Sequence, residues 1–144
     1  MPKILVPVDG TPQADQAVAN ALERARSGET LEIHLLNVQI PIASGHARMF
    51  FSRDDVQSYH REEGVKALAR SRFLLDEAGQ PYRHHIAVGR VADTIVRFAR
   101  EKAFDQILMA PHRAGGLPGF GSVTREVVKE SVVPVILVEP KSAE

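Results

Sequence analysis

The sequence has no cysteine and no tryptophan, only two tyrosines, and no excess of charge of either sign. Without cysteine, disulfide frameworks, thiol catalysis and cysteine-based zinc sites are all excluded. Eighteen Lys plus Arg balance eighteen Asp plus Glu, so the formal net charge is zero. General binding to nucleic acid or to a membrane surface requires a basic excess or stripe, and the sequence has neither. Long apolar runs are missing too: the first, Ile4 to Val8, stops at Asp9. A signal-peptide core needs about 7–15 apolar residues and a membrane span roughly 18. The expectation is a cytoplasmic protein that enters no membrane.

Apolar residues are nonetheless plentiful, at 44% of 144 positions. A chain of this length suits one domain, 1–144, and buries roughly 68–70% of its unfolded surface. Its core needs no metal or disulfide to hold it.

The opening Lys3-Ile-Leu-Val-Pro-Val8 reads as a strand buried on both faces. Asp9-Gly10-Thr11-Pro12 breaks it, with Thr11 a suitable N-cap and Pro12 suited to the first helical position. Ala14, Ala17, Val18, Ala21, Leu22 and Ala25 then recur with helical period until Ser27-Gly28. A second strand spans Leu31 to Val38, and Gln39 to Asp54 reads as a long connection with an apolar Met49-Phe50-Phe51 cluster. A long helix is predicted over Asp55 to Ala78 on Val65, Leu68, Ala69 and Leu75, followed by a third strand from Tyr82 to Val88. Ala92, Ile95, Val96, Ala99 and Ala103 mark the next helix, and Gln106 to Ala110 a fourth strand. A glycine-rich loop over Pro111 to Gly121, a helix from Ser122 to Glu130 and a last apolar strand from Val133 to Val138 complete the chain. Strands alternating with helices predict an α/β protein. Its expected architecture is a doubly wound, five-stranded parallel sheet with helices on both faces.

Ligands of such sheets bind beyond the carboxyl ends of the strands, where strand order reverses. Asp9 follows the first strand. The fourth runs into Met109 to Val123, a segment holding four of the ten glycines, and Gly121-Ser122 opens the next helix. The free N–H groups there form an anion site, and glycines admit a phosphate closely. Neither G-x-G-x-x-G nor Walker A is present, so a surface loop with a serine N-cap reads as well.

Other constellations are weaker. His84 and His85 are neighbours on a strand and point to opposite faces, His34 reads as a packed or edge histidine, and His46 and His60 are scattered. No metal site is expected. Asp54-Asp55 reads as a loop end and Glu62-Glu63 as a solvated helix face. Met49-Phe50-Phe51 reads as core or dimer contact. No G-x-S-x-G elbow occurs and no base is paired with a nucleophile, so no catalytic residue is assigned and an enzyme is not expected.

Along essentially its whole length the chain resembles the universal stress proteins. The resemblance rests on Ile4-Leu-Val-Pro-Val-Asp-Gly10, Val88-Gly-Arg-Val-Ala-Asp93, Asp105-Gln-Ile-Leu-Met109, Gly121-Ser122-Val123 and Val133-Pro-Val-Ile-Leu-Val138, in that order and spacing. It implies a Rossmann-like fold of the adenine nucleotide alpha-hydrolase type, a role in stress survival or signalling, and homodimers paired through the last strand, here Val133 to Val138. Nucleotide-binding members carry G-x2-G-x9-G-[ST] after the fourth strand. Here Ala110 and Arg113 replace the first two glycines, and seven residues separate Arg113 from Gly121.

For ATP or a related adenine nucleotide, the family pattern implies the following roles. Asp9 accepts from the adenine amino group, and Pro7, Val8 and Val38 line the base. Met109 and Ala110 lie near the ribose, while His112, Gly121, Ser122 and Val123 face the phosphates. Arg113 supplies a guanidinium suited to phosphate. Asp9 also fits a plain turn residue, and His112 and Arg113 fit ordinary exposed loop residues. The altered loop leaves open a nucleotide-free dimer acting through protein contacts. An adenylylating pyrophosphatase would carry Ser-Gly-Gly-x-Asp-Ser after the first strand. A phosphoacceptor receiver would carry an acidic pair there, and Val8-Asp9-Gly10-Thr11 matches neither.

Overall fold

The computed structural model describes residues 1–42, 52–110 and 120–138, with the side chains of 120 and 121 excepted. Strands β1 (Lys3–Pro7), β2 (Glu32–Gln39), β3 (Tyr82–Val88), β4 (Gln106–Met109) and β5 (Val135–Leu137) alternate with four helices. These are α1 (Pro12–Arg26), α2 (Arg53–Glu77), α3 (Val91–Glu101) and α4 (Phe120–Glu130). All pairings are parallel, in the order β3-β2-β1-β4-β5. The first crossovers wind outward from β1 to β3; the next returns past β1 to start β4. The reversal therefore falls between β1 and β4, the position that binds ligands in open sheets. The doubly wound expectation holds.

Alternation along the strands builds two apolar layers. Ile4, Val6, Ile33, Leu35 and Leu108 pack under Ala14, Ala17, Val18, Ala21 and Leu22 of α1 and Leu68 and Leu75 of α2. On the opposite face Leu5, Leu36, Ile107 and Met109 pack under Ala92, Ile95 and Ala99 of α3 and Val127 of α4.

Several expected boundaries and faces are corrected. Helix α2 begins at Arg53, so Asp54 and Asp55 lie in its first turn. Ser52 Oγ accepts from the Asp55 N–H and the Asp55 carboxylate accepts from the Ser52 N–H, a capping box with acidic charge at the positive helix end. Its buried stripe is His60, Gly64, Leu68, Ser71 and Leu75, whereas Val65 and Ala69 are exposed. An added Cβ at Gly64 would come within 2.7 Å of the Ile86 side chain, so glycine there seats the helix on β3. Ala103 lies beyond α3, and Thr94 takes a buried place on that helix instead. Helix α4 starts at Phe120 rather than Ser122, and β5 narrows to three residues.

Helices α1, α2 and α3 end alike, with crossed backbone bonds closing the last turn. Gly28 N–H donates to Ala25 and Glu29 to Arg24; Gly79 donates to Asp76 and Gln80 to Leu75; Ala103 donates to Arg100 and Phe104 to Ala99. Each motif needs a left-handed residue, with φ of 103° at Gly28, 68° at Gly79 and 56° at Ala103.

Candidate functional site

Pro7 ends β1, and the Val8 N–H continues the ladder by donating to the Leu36 carbonyl at 2.8 Å. Asp9 is then exposed, at the carboxyl end of the strand beside the topological reversal. Its Oδ1 accepts from the Thr11 N–H at 3.0 Å and from Thr11 Oγ1 at 2.6 Å. Thr11 is the N-cap of α1 in backbone conformation, but its hydroxyl serves Asp9 instead of the helix. The carboxylate is thereby held in one orientation by a local turn, with Oδ2 unbonded among the described residues. Gly10 closes the turn at φ 86°, and a Cβ there would meet the Ala67 backbone of α2 at 3.3 Å.

Sequence reasoning missed Asn37. It is 3% exposed inside β2, donates through Nδ2 to the Val8 carbonyl at 2.8 Å, and accepts from Gln39 Nε2 at 2.7 Å. An amide in the Leu35-Leu36-Asn37-Val38 stretch was the available signal, since a buried polar group requires a partner. Asn37 fixes the end of β1 that presents Asp9. Val38 lies on the other face, half-buried, against the layer under α3 and α4.

Met109 ends β4, one residue before the expected Ala110, which follows the strand; they are 3% and 4% exposed, and the Met109 carbonyl accepts from the Val138 N–H at 2.7 Å. Their side chains belong to opposite core layers. His112 and Arg113 lie outside the described residues, as do His46 and the Met49-Phe50-Phe51 cluster. Gly121, exposed Ser122 and half-buried Val123 occupy the first turn of α4. The ends of β1, β2 and β4 are neighbours in the sheet, so Asp9, Val38 and Ala110 converge at one end of the molecule.

Beside this end lies a crevice of about 420 Å³, lined by Ile40, Pro41, Arg90, Val91, Ala92, Val123 and Glu126. Among the described residues it shares only Val123 with those that the resemblance assigns to the nucleotide. Arg90 donates to Asp93 at 2.9 Å and to Glu126 at 2.8 Å, tying the start of α3 to α4. The hydrogen bond to Asp93, with the charges of Asp93 and Glu126, holds the guanidinium pKa above its ordinary value. The turn before it requires glycine at 89, where a Cβ would sit 2.5 Å from Thr94 Oγ1.

No group of three His, Cys, Asp or Glu side chains able to hold a metal occurs among the described residues. His34, 5% exposed in β2, is instead the buried member of a polar chain whose other members, Glu32 and His85, are half-buried. Its Nε2 bonds Glu32 Oε2 at 2.7 Å and its Nδ1 bonds His85 Nε2 at 2.8 Å, with Phe104 and Phe98 packed around the two rings.

A model of the universal stress protein family matches residues 1–139. A universal stress protein of Methanocaldococcus jannaschii is 29% identical over 146 residues, covering 99% of this chain and 84% of its own. The solved structure of a second protein of that organism, 26% identical, covers 99% of this chain and 98% of its own with a TM-score of 0.78. The universal stress protein of Archaeoglobus fulgidus in complex with dAMP, 22% identical, reaches 0.66 over 96% of this chain and 97% of its own. The family model spans nearly the whole length, and the chain therefore belongs to the universal stress protein family.

Proposed function

We propose that this protein is a small cytoplasmic regulator of the stress response that binds an adenine nucleotide at the carboxyl ends of β1 and β4. The carrying observation is Asp9, exposed at the topological reversal with its carboxylate oriented by Thr11. An adenine amino group donates to the remaining carboxylate oxygen, and Val38 flanks the base. The leading N–H groups of α4, at Gly121, Ser122 and Val123, receive the phosphate. Arg113 takes over contacts that a second glycine would have made through its backbone. Two features favour a monophosphate over ATP: the dAMP held by the Archaeoglobus fulgidus protein, and the seven-residue spacing between Arg113 and Gly121. The protein acts by binding, and any hydrolysis is slow.

A homodimer through β5 accompanies this reading. That strand is an edge of the sheet, with Ile136 38% and Leu137 43% exposed, and an apolar edge invites pairing with another chain. The same edge favours the second reading, a nucleotide-free dimer working through protein contacts.

Mass spectrometry of nucleotide released from the denatured protein, with calorimetric titration of AMP, ADP and ATP, separates the two. Saturable binding with AMP at least as tight as ATP supports the first reading. No binding of any of the three at millimolar concentration would leave the second.

A further inference from the structure

At the β3 edge, on the face covered by α1 and α2, lies a groove of about 470 Å³. It is lined by Gln57, His60 and Arg61 of α2 and by His84, Ile86 and Val88 of β3, and shares no residue with the crevice beside α3 and α4. His60 is 5% exposed, and its Nδ1 is sealed from solvent without a hydrogen-bond partner. An unpartnered buried nitrogen costs stability that an apolar side chain at this helix position would avoid. The ring nevertheless lines the groove, and Nε2 is the nitrogen left to serve a ligand.

Everything polar along the lining can donate: a guanidinium, two imidazoles and an amide. No carboxylate lines it among the described residues. Partial burial, and then the Arg72 guanidinium, hold the His84 pKa below its ordinary value, in keeping with a positive surrounding. A guanidinium beside two imidazoles that can each donate an N–H suits an oxyanion. Ile86, seated against Gly64, and Val88, 46% exposed, supply an apolar floor.

We propose that this groove binds a small organic anion, its carboxylate or phosphate received by Arg61, His60 and His84 and its apolar body lying on Ile86 and Val88. The site is separate from the proposed nucleotide site.

The test is a titration followed on the imidazole resonances of His60 and His84 by NMR, with hexanoate, inorganic phosphate and uncharged hexanol as probes. A saturable shift with either anion is expected, and the tighter of the two names the preferred group. Arg61 is exposed, so Arg61→Ala folds, and it should bind the anion at least about tenfold more weakly. Asp9→Ala should bind it unchanged, which separates this site from the nucleotide site. The proposal is overturned if neither anion shifts the rings saturably or hexanol binds as well as hexanoate. It is equally overturned if Arg61→Ala binds normally or Asp9→Ala loses binding.

Discussion

Asp9 shows how the contacts of a turn can orient a residue of the proposed site. Its Oδ1 is committed to the Thr11 N–H and hydroxyl, so the carboxylate is positioned before any ligand arrives and little ordering cost remains. Asp9→Ala is expected to weaken AMP binding by about 1–3 kcal/mol, the worth of a lost hydrogen bond to a charged group, measured by calorimetry. Unchanged affinity in the folded variant would remove Asp9 from the site. The Glu32–His34–His85 chain makes a second prediction. Partial burial, followed by the charges of His34, His84, Arg83 and Lys102, holds the His85 pKa below its ordinary value. The unfolded chain therefore binds the proton more readily than the folded one. The stabilising contribution is complete above the unfolded value of about 6.5 and is lost as pH falls through that value toward the folded one. His84, shifted the same way by burial and Arg72, acts in the same window. Denaturant midpoints should drop between pH 7.5 and 5.5, and His85→Gln should flatten that drop; equal slopes would exclude His85 as a source.

At the scale of elements, the helix stops show where sequence reading succeeds and where it fails. Gly28 and Gly79 announce the ends of α1 and α2 because glycine adopts positive φ without cost. Ala103 carries the same left-handed turn after α3 with a Cβ in place, and its apolar character made it look like one more helical position. Ala103→Gly relieves about 1–2 kcal/mol of left-handed strain and adds about 0.5–1 kcal/mol of unfolded-state entropy. The net expectation is a gain of up to about 1.5 kcal/mol in chemical denaturation. A loss of stability would mean that the Ala103 methyl contributes packing that outweighs its strain. Helix α2 failed differently: Val65 and Ala69 carry apolar character on the solvent side, while His60, Gly64 and Ser71 take the core side. Periodicity identifies a helix but not which face is inward when small and polar residues occupy the contact stripe. There, the approach of Ile86 to Gly64 settles the matter.

At the scale of the molecule, the sheet has two unequal edges. Strand β3 at one edge carries Arg83 and His84 among its exposed residues, the polar marking that discourages strand addition. Strand β5 at the other exposes Ile136 and Leu137. Ile136→Lys places a charge on that edge at a position already open to solvent, so the fold should survive while a β5-paired dimer should not. Light scattering is expected to report a monomer; a persisting dimer would put the interface elsewhere.

The sequence by itself determined the alternation of strands and helices, the parallel sheet and the family, because these follow from apolar periodicity, turn residues and motif order along the chain. It also singled out Asp9 and the start of α4 as candidate ligand-binding positions. Only the tertiary structure decided that β5 is an edge, that Asn37 braces the end of β1, and that Arg90 links α3 to α4. The same holds for the contacts that join His34 to His85 and set His60 opposite His84. Each of these depends on contacts between residues distant in sequence, where strand order and helix rotation, rather than local pattern, choose the neighbours.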